Sequence, residues 1–512
     1  MLKQKWFRSL CRHRFHIILL LLIQLAFMIY VVTGAGSTFK IINIALCVIS
    51  FSVSVYIISR REKNAYKLMW VFLILLAPLF GGLFYLIFTF QSSTKGLKKR
   101  IETAENKAAR LVNNHDNEYE RILKEYPEHA QKINYLQCFA GFPIYDCSRT
   151  EYLSPGEMKL ERLLIELEKA ERYIFLEYFI VQEGKMWDSI LEVLKRKAAA
   201  GVKVRLIYDD FGCFVLLPKD YPKQLKKFGI ECAVFNPFRP ILSSVQNNRD
   251  HRKIVSIDGK VAFTGGINLA DEYINEKEVH GHWKDASVMV EGKAAWGFTL
   301  MFLQMWEVIV GGNEDYEQYY PWTDEPCTIT SRGLTLPYSD SPMDKENVGK
   351  HVYQQILYGA RDYVYICTPY LIADEAMISA LSLAAKSGID VRIITPYKGD
   401  KWFVHTTTRS YYRELIDAGV KIYEYKSGFI HSKTFVCDDC IATVGTTNLD
   451  FRSLYMNFEC GLWMCNSEAV MDIKRDFSET LKICQQIKVE DCKAGLFTRS
   501  IQDFLRLFAP LM

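Results

Sequence analysis

The sequence predicts an α/β protein in which two tandem α/β/α domains form one pseudo-symmetric catalytic unit, preceded by an N-terminal transmembrane anchor. Three observations carry this prediction. Long apolar runs are confined to the first 90 residues, a strand–helix pattern occurs twice in the same order, and each copy contains one His-x-Lys motif with identical downstream spacing. At 512 residues the chain is long enough for two or three domains with proper cores. A net charge of only +4 supplies no global basic field of the kind that draws nucleic acid. The 14 cysteines are irregularly spaced, which suits a reducing compartment better than a disulfide framework.

Residues 1–94 form the expected membrane region. Runs 15–32, 41–59 and 68–90 are each long enough to span a bilayer core. The basic start (Lys3, Lys5, Arg8, Arg12, Arg14) and a second apolar run close behind favour an anchor over a cleaved signal peptide. Loop 33–40 carries one cation, Lys40, whereas Arg60, Arg61, Lys63 and Lys67 follow the second run, so both ends of this hairpin are expected in the cytoplasm. The third run holds Pro78, Gly81 and Gly82 at its centre. A simple span there would put Lys95, Lys98, Lys99 and Arg100 outside, while a re-entrant segment would return them inside if protein shields its backbone. Both topologies stay open. The expectation is a multi-pass protein of the cell membrane with its catalytic domains on the cytoplasmic face. Residues 95–135, charged and rich in helix formers, read as a solvated helical linker.

The remainder divides into 136–322 and 323–512. Residues 173–181 (YIFLEYFIV) match 363–371 (YVYICTPYL), and each is followed by a helix pattern and a second strand after a glycine, Gly201 or Gly388. A further pair follows at Gly229 and Gly419. Strands alternating with helices of this length indicate α/β layers around a largely parallel sheet.

The first motif reads His251, Lys253, Asp258, Gly265, Gly266, Asn268. The second, 180 residues later, reads His431, Lys433, Asp438, Gly445, Thr446, Asn448. One His-x-Lys means little; two with the same spacing to an Asp, a Gly and an Asn are specific. Histidine serves as nucleophile or acid near neutral pH, and lysine is a cation suited to phosphate oxygens. Two of each at one site would suit the breaking and remaking of a phosphodiester. In each half the motif opens a strand, turns at Asp258-Gly259 or Asp438-Asp439, and returns as a second strand. This places His and Lys on one side of one strand. The glycines allow close backbone approach, and Asn268 and Asn448 supply amide donors. Asp258 and Asp438 belong to the candidate catalytic set by motif, but their turn positions read as structural.

These residues resemble the phospholipase D superfamily, and within it the bacterial cardiolipin synthases, over essentially the whole chain. The likeness includes the hydrophobic N-terminus with its Pro-Gly-broken run, GGINLADEYI at 265–274, His282-Trp283-Lys284-Asp285, and FIHSKTFVCDDCIATVGTTNLDFRSLYMNFE at 429–459. The resemblance implies two phospholipase D-like domains meeting at one site, with no metal and no cofactor. It implies conversion of two phosphatidylglycerols into cardiolipin and glycerol through a phosphatidyl-histidine. By family habit alone His251 is the nucleophile and His431 the acid, then the base; the sequence does not distinguish them. Lys253, Lys433, Asn268 and Asn448 would hold the phosphate oxygens. Asp285 and Glu459 would orient the imidazoles. Membrane phosphatidylglycerol and cardiolipin are the implied partners, nucleic acid is not, and no protein partner is indicated.

A phospholipase D-type hydrolase is the alternative, with water in the acceptor's place; phosphatidylethanolamine could also replace one phosphatidylglycerol as donor. An idle scaffold conflicts with intact His and Lys in both motifs. Cys437-x-x-Cys440 lacks a second pair and is not expected to hold zinc. His280-x-His282 reads as packing or substrate-facing rather than metal-binding. Stretches 211–218 (FGCFVLLP) and 235–244 (FNPFRPILSS) read equally as core or as lipid-facing surface. The apolar stripe Phe497, Ile501, Phe504, Leu505, Phe508, Leu511 is expected to pack on its domain.

Overall fold

A computed structural model describes residues 37–512 apart from 61–62, 77–81, 83–84, 86–92, 113–115, 239–243 and 323–326. The chain divides into two units, one of residues 1–94, 239–247 and 507–511, the other of 95–238, 248–506 and Met512.

In the first unit, helix Ser37–Ser59 is followed by helix Asn64–Leu76. Ile57, Met69, Trp70, Ile74 and Tyr85 form a small buried cluster, with Trp70 and Tyr85 edge to face at 5.3 Å. Ile41, Ile44, Val48, Ile49, Phe51, Val55 and Ile58 of the first helix are exposed. Eight of the 23 side chains of this helix lie outside the described set, and among the described residues no helix is long and apolar enough to cross a membrane. The run 15–32 lies outside the described residues, and 68–90 is described only to Leu76 and at Gly82 and Tyr85.

The second unit contains both motif-bearing halves. Its entry is not the solvated linker that composition suggests. Helix Ser93–Val112 buries Leu97, Ile101, Ala104, Ala108 and Val112, an i, i+4, i+7 stripe hidden among the charges. From its other face Lys107 donates to Glu307 and Asn313, each at 2.8 Å.

The first half contributes β1 (Ser148–Leu153), β2 (Tyr173–Tyr178), β3 (Lys203–Asp209), β4 (Glu231–Phe235), the two-residue β5 (Arg249–Asp250), β6 (Lys253–Ile257), β7 (Val261–Gly265), β8 (His282–Lys284) and β9 (Ser287–Gly292). The second contributes β10 (Leu334–Asp340), β11 (Tyr363–Cys367), β12 (Leu371–Ile372), β13 (Asp390–Pro396), β14 (Lys421–Tyr425), β15 (Gly428–Ile430), β16 (Thr434–Cys437), β17 (Ile441–Gly445), β18 (Leu449–Asp450), β19 (Asn457–Cys465) and β20 (Cys484–Ile487). The first sheet runs β1-β9-β7-β6-β2-β3-β4 and the second β10-β19-β17-β16-β11-β13-β14-β20. Apart from β20 at the far edge the two orders match strand for strand, so the sequence duplication is a duplication of topology.

Neither sheet is largely parallel. Only β2-β3-β4 and β11-β13-β14 are, each joined through helical crossovers. The motif hairpins β6–β7 and β16–β17 have turns too short for a crossover, so their strands run antiparallel to each other, and β6 and β16 also pair antiparallel with β2 and β11.

Helix Ala295–Val310 (AWGFTLMFLQMWEVIV) is apolar on nearly every face and correspondingly buried, packing against β6 and β7 of one sheet and β10 of the other. Strand β7 also meets β17 and β19. The two halves therefore share an interior. Stretch 211–218 is divided, with Cys213 and Leu217 buried and Phe211 and Val215 exposed. Helix Leu496–Leu507 packs only in part: Ile501 and Leu505 are half-buried and Arg506 lies over the Tyr411 ring, while Leu496, Phe497 and Phe504 are exposed. The twelve cysteines whose side chains are described are free thiols.

Candidate active site

Both motif histidines open a short gap between strands, two residues long (251–252) in the first half and three (431–433) in the second. Ahead of the first, β5 pairs in parallel with the start of β19 in the other half, Arg249 opposite Asn457 and Asp250 opposite Phe458. Ahead of the second, β15 pairs in parallel with β8, Phe429 opposite Trp283 and Ile430 opposite Lys284. The chain then swings back into its own sheet at β6 or β16. His and Lys consequently do not share one strand, because the residues before each histidine hydrogen-bond to the opposite half.

The crossing fixes both imidazoles in the same way. The His251 backbone N–H donates to Phe458 O at 2.9 Å, and the next side chain, Glu459, accepts from His251 Nδ1 with both oxygens at 3.0 Å. The His431 N–H donates to Lys284 O at 2.7 Å, and the next side chain, Asp285, accepts from His431 Nδ1 at 2.7 Å. Each histidine is thus oriented by a carboxylate of the other half. Both carboxylates are fully buried. With Nδ1 engaged, each ring has Nε2 left for chemistry.

Lys253 donates back to the carbonyl of His251 at 2.6 Å, and Lys433 makes the same bond to His431. Burial pulls Lys253 down to about 8 and Lys433 down to about 7, partly offset by Glu459 and Asp285. Burial, with the neighbouring lysines, holds His251 well below the usual imidazole range and His431 at about 4. Burial raises Glu459 to about 7 against the pull of Lys253. In the free site both imidazoles are neutral at pH 7 and burial has drawn the lysines toward their neutral form, so a bound anion would restore the lysine charge.

Glycines give the carboxylates room. A Cβ on Gly265 would lie 2.4 Å from Ala286 O, and one on Gly445 2.6 Å from Cys460 O. At the next position a Cβ on Gly266 would lie 2.1 Å from Asp285 Oδ1. Its counterpart Thr446 instead uses its hydroxyl, donating to Glu459.

The motif aspartates lie outside this constellation. Asp258 accepts the N–H groups of Glu171, Arg172 and Tyr173 at 2.8, 2.8 and 2.7 Å. Asp438 accepts those of Arg361, Asp362 and Tyr363 at 2.7, 3.0 and 2.8 Å. Both have positive φ, 53° and 51°, at the hairpin turn. They fasten the loop before β2 or β11, so inclusion in a catalytic set is corrected to a structural place. Asn268 is engaged on both sides of its amide, accepting from Ile180 N at 3.1 Å and donating to the Tyr273 hydroxyl at 2.7 Å. Asn448 is buried with its Oδ1 lacking a partner.

Sequence reasoning missed several residues here. Lys159 is fully buried, donating to Ile267 O at 3.0 Å and the Tyr178 hydroxyl at 3.2 Å, with burial pulling it down to about 7. Arg252 points away from the histidines and lies 3.6 Å from the buried Glu177. Phe179 packs edge-on to His251 at 5.1 Å, and Tyr273 edge-on to His431 at 5.6 Å, beside Trp283. His282 contacts the Tyr425 hydroxyl at 2.9 Å and His280 packs near Trp283 and Phe429. Neither belongs to a ligand cluster among the described residues.

A fold with two such halves and two crossed His–carboxylate pairs defines a two-motif phospholipase D-type protein, and comparison with known proteins narrows this. The model "Cardiolipin synthase, PLD-like domain" matches residues 163–293 and 353–481, and "Phospholipase_D-nuclease N-terminal" matches 48–88. Cardiolipin synthase 2 of Bacillus anthracis is 33% identical over 90% of this chain and 91% of its own. Cardiolipin synthase of Geobacillus kaustophilus is 34% identical over 90% and 91%. An uncharacterized protein of Streptococcus mutans is 45% identical over 89% and 99%. The chain belongs to the cardiolipin synthase family of the phospholipase D superfamily. A phosphatidylserine synthase from Haemophilus influenzae shares the fold, with TM-score 0.55 at 13% identity over 70% of this chain and 93% of its own.

Proposed function

We propose that this protein is a membrane-bound phosphatidyltransferase that converts two phosphatidylglycerols into cardiolipin and glycerol. The observation that carries the reading is the crossed orientation of His251 by Glu459 and His431 by Asp285. It makes one site from two halves and arms it with two Nε2 atoms.

His251 Nε2 attacks the phosphorus of the first phosphatidylglycerol. The bond to the glycerol oxygen breaks, and His431 gives that oxygen its proton. The product of this step is a phosphatidyl-histidine. The glycerol hydroxyl of the second phosphatidylglycerol then gives its proton to His431 and attacks phosphorus, releasing His251 and forming cardiolipin. Lys253 and Lys433 hold the non-bridging oxygens, joined by the amides of Asn268 and Asn448, and stabilise the charge that builds there. Without substrate His431 is neutral, held at about 4. The bound phosphodiester sets a negative charge beside it, and together with Asp285 favours the imidazolium needed for the first proton transfer.

The runs 15–32, 41–59 and 68–90 anchor the protein in the membrane, with the catalytic domains on the cytoplasmic side by the distribution of lysine and arginine. Support comes from the exposed Ile41, Ile44, Val48, Ile49, Phe51, Val55 and Ile58 of helix Ser37–Ser59, a surface that suits lipid better than water. The domain limits 136–322 and 323–512 follow the repeated strand order.

A lipid product assay tests the reading. Detergent-purified protein receives phosphatidylglycerol alone, beside His251→Ala and His431→Ala. Cardiolipin and free glycerol from wild type, absent from both variants, are expected. Phosphatidic acid as the main product would make the protein a hydrolase and end the transferase reading.

A further inference from the structure

The zinc-like spacing of Cys437-x-x-Cys440 points to the wrong pair. Cys437 is buried within β16, whereas Cys440, at the end of the same turn, faces two other ligands. Because β17 pairs with β19 in the register Ile441 opposite Cys465, Cys440 comes beside Cys465. The Sγ–Sγ distance is 3.7 Å. His129, from the 3-10 turn Pro127–His129, places Nε2 at 3.2 Å from Cys440 Sγ. All three ligand atoms lie within 4.8 Å of one another.

These spacings suit a tetrahedral thiophilic cation. With Zn–S near ~2.3 Å and Zn–N near ~2.05 Å, tetrahedral edges are about 3.8 Å between sulfurs and about 3.6 Å from sulfur to nitrogen. The thiol pair already spans the first distance, and the imidazole is a few tenths of an ångström short of the second. Glu128 Oε1, 3.7 Å from His129 Nε2 on a half-exposed side chain, stands outside this cluster, so the fourth position falls to solvent. The charges also close. Two thiolates balance the two positive charges of zinc, and the imidazole adds none.

We propose that His129, Cys440 and Cys465 bind a structural zinc ion, with solvent in the fourth position. It lies at the turn end of the β16–β17 hairpin, opposite the end that carries Lys433 and Asn448, so it takes no part in the phosphodiester chemistry. Its effect is to staple the turn ahead of helix Ala130–Phe139 to the second sheet. A soft donor set of two sulfurs and one imidazole selects zinc over magnesium or calcium.

The full chain, purified in detergent under reducing conditions and passed over a chelating resin, is analysed for metal. About one zinc per chain is expected, falling below about a tenth in Cys440→Ser, Cys465→Ser and His129→Ala. Cobalt(II) titrated into metal-stripped wild type should give the visible absorption of a tetrahedral thiolate site, saturating at about one equivalent. That result stands even where a variant fails to fold. Zinc should raise the thermal midpoint of stripped wild type and leave that of a Cys440→Ser/Cys465→Ser double variant unchanged. No zinc and no cobalt spectrum in wild type would overturn the proposal. So would zinc retained by the double variant, or a Cys440–Cys465 disulfide in the reduced preparation by peptide mapping.

Discussion

Exchanging Asp285 for Asn separates the crossed arrangement from the simpler one in which each half orients its own histidine. Asp285 comes 34 residues after His251 in sequence but bonds His431 Nδ1 at 2.7 Å, while Glu459 bonds His251 at 3.0 Å. A charge-assisted hydrogen bond of this kind contributes about 1.5–3 kcal/mol, which corresponds to about a tenfold to 150-fold loss in rate when it is removed. The assay uses a phosphatidyl ester of p-nitrophenol, whose leaving group departs without a proton. Formation of the phosphatidyl-histidine then needs His251 but not an acid. Asp285→Asn should keep a burst of about one nitrophenolate per site and lose the following turnover, because only the base for the acceptor hydroxyl is impaired. Glu459→Gln should slow the burst itself by the full factor. The opposite result, with Asp285→Asn losing the burst and Glu459→Gln retaining it while His251→Ala abolishes it and His431→Ala does not, would refute the crossed assignment.

Gly266→Ala should reproduce the turnover defect of Asp285→Asn with the burst retained, since its Cβ would sit 2.1 Å from Asp285 Oδ1. Asp258→Ala should cost about 2–5 kcal/mol of stability, read from the urea midpoint, by stranding three backbone donors. The folded fraction should keep near-normal specific activity. His431 titrates at about 4 in the folded chain, below its unfolded value of ~6.5. Below that unfolded value the unfolded chain binds the extra proton, so wild type should lose stability relative to His431→Gln as pH falls from about 6.5 to about 4. Parallel pH–denaturation series on the two proteins measure this difference.

The motif histidines and lysines and the duplication were legible because their spacings repeat along the chain, whereas Asp285 and Glu459 came from the family resemblance alone. The partnering of the carboxylates was not legible. It depends on β5 pairing with β19 and β15 with β8. Two- and three-residue strands of this kind leave no periodic signature in sequence. For the same reason His251 and Lys253 read as neighbours on one strand. Asp258 and Asp438 illustrate the converse, since a turn position with positive φ announced their structural place more reliably than motif membership did. Lys159 and Glu177 look like ordinary helix and strand residues in sequence and become visible only as buried charges. The stripe in helix Leu496–Leu507 was correctly read as a periodic pattern, but periodicity says nothing about which way a face turns.

The most direct test of the account is to find the covalent intermediate. Wild-type protein would be mixed with labelled phosphatidylglycerol, quenched in alkali to preserve phosphorus–nitrogen bonds, digested and mapped by mass spectrometry. The phosphatidyl group is expected on the peptide carrying His251, and absent from His251→Ala. A group found on His431, or cardiolipin formed at full rate by His251→Ala, would contradict it.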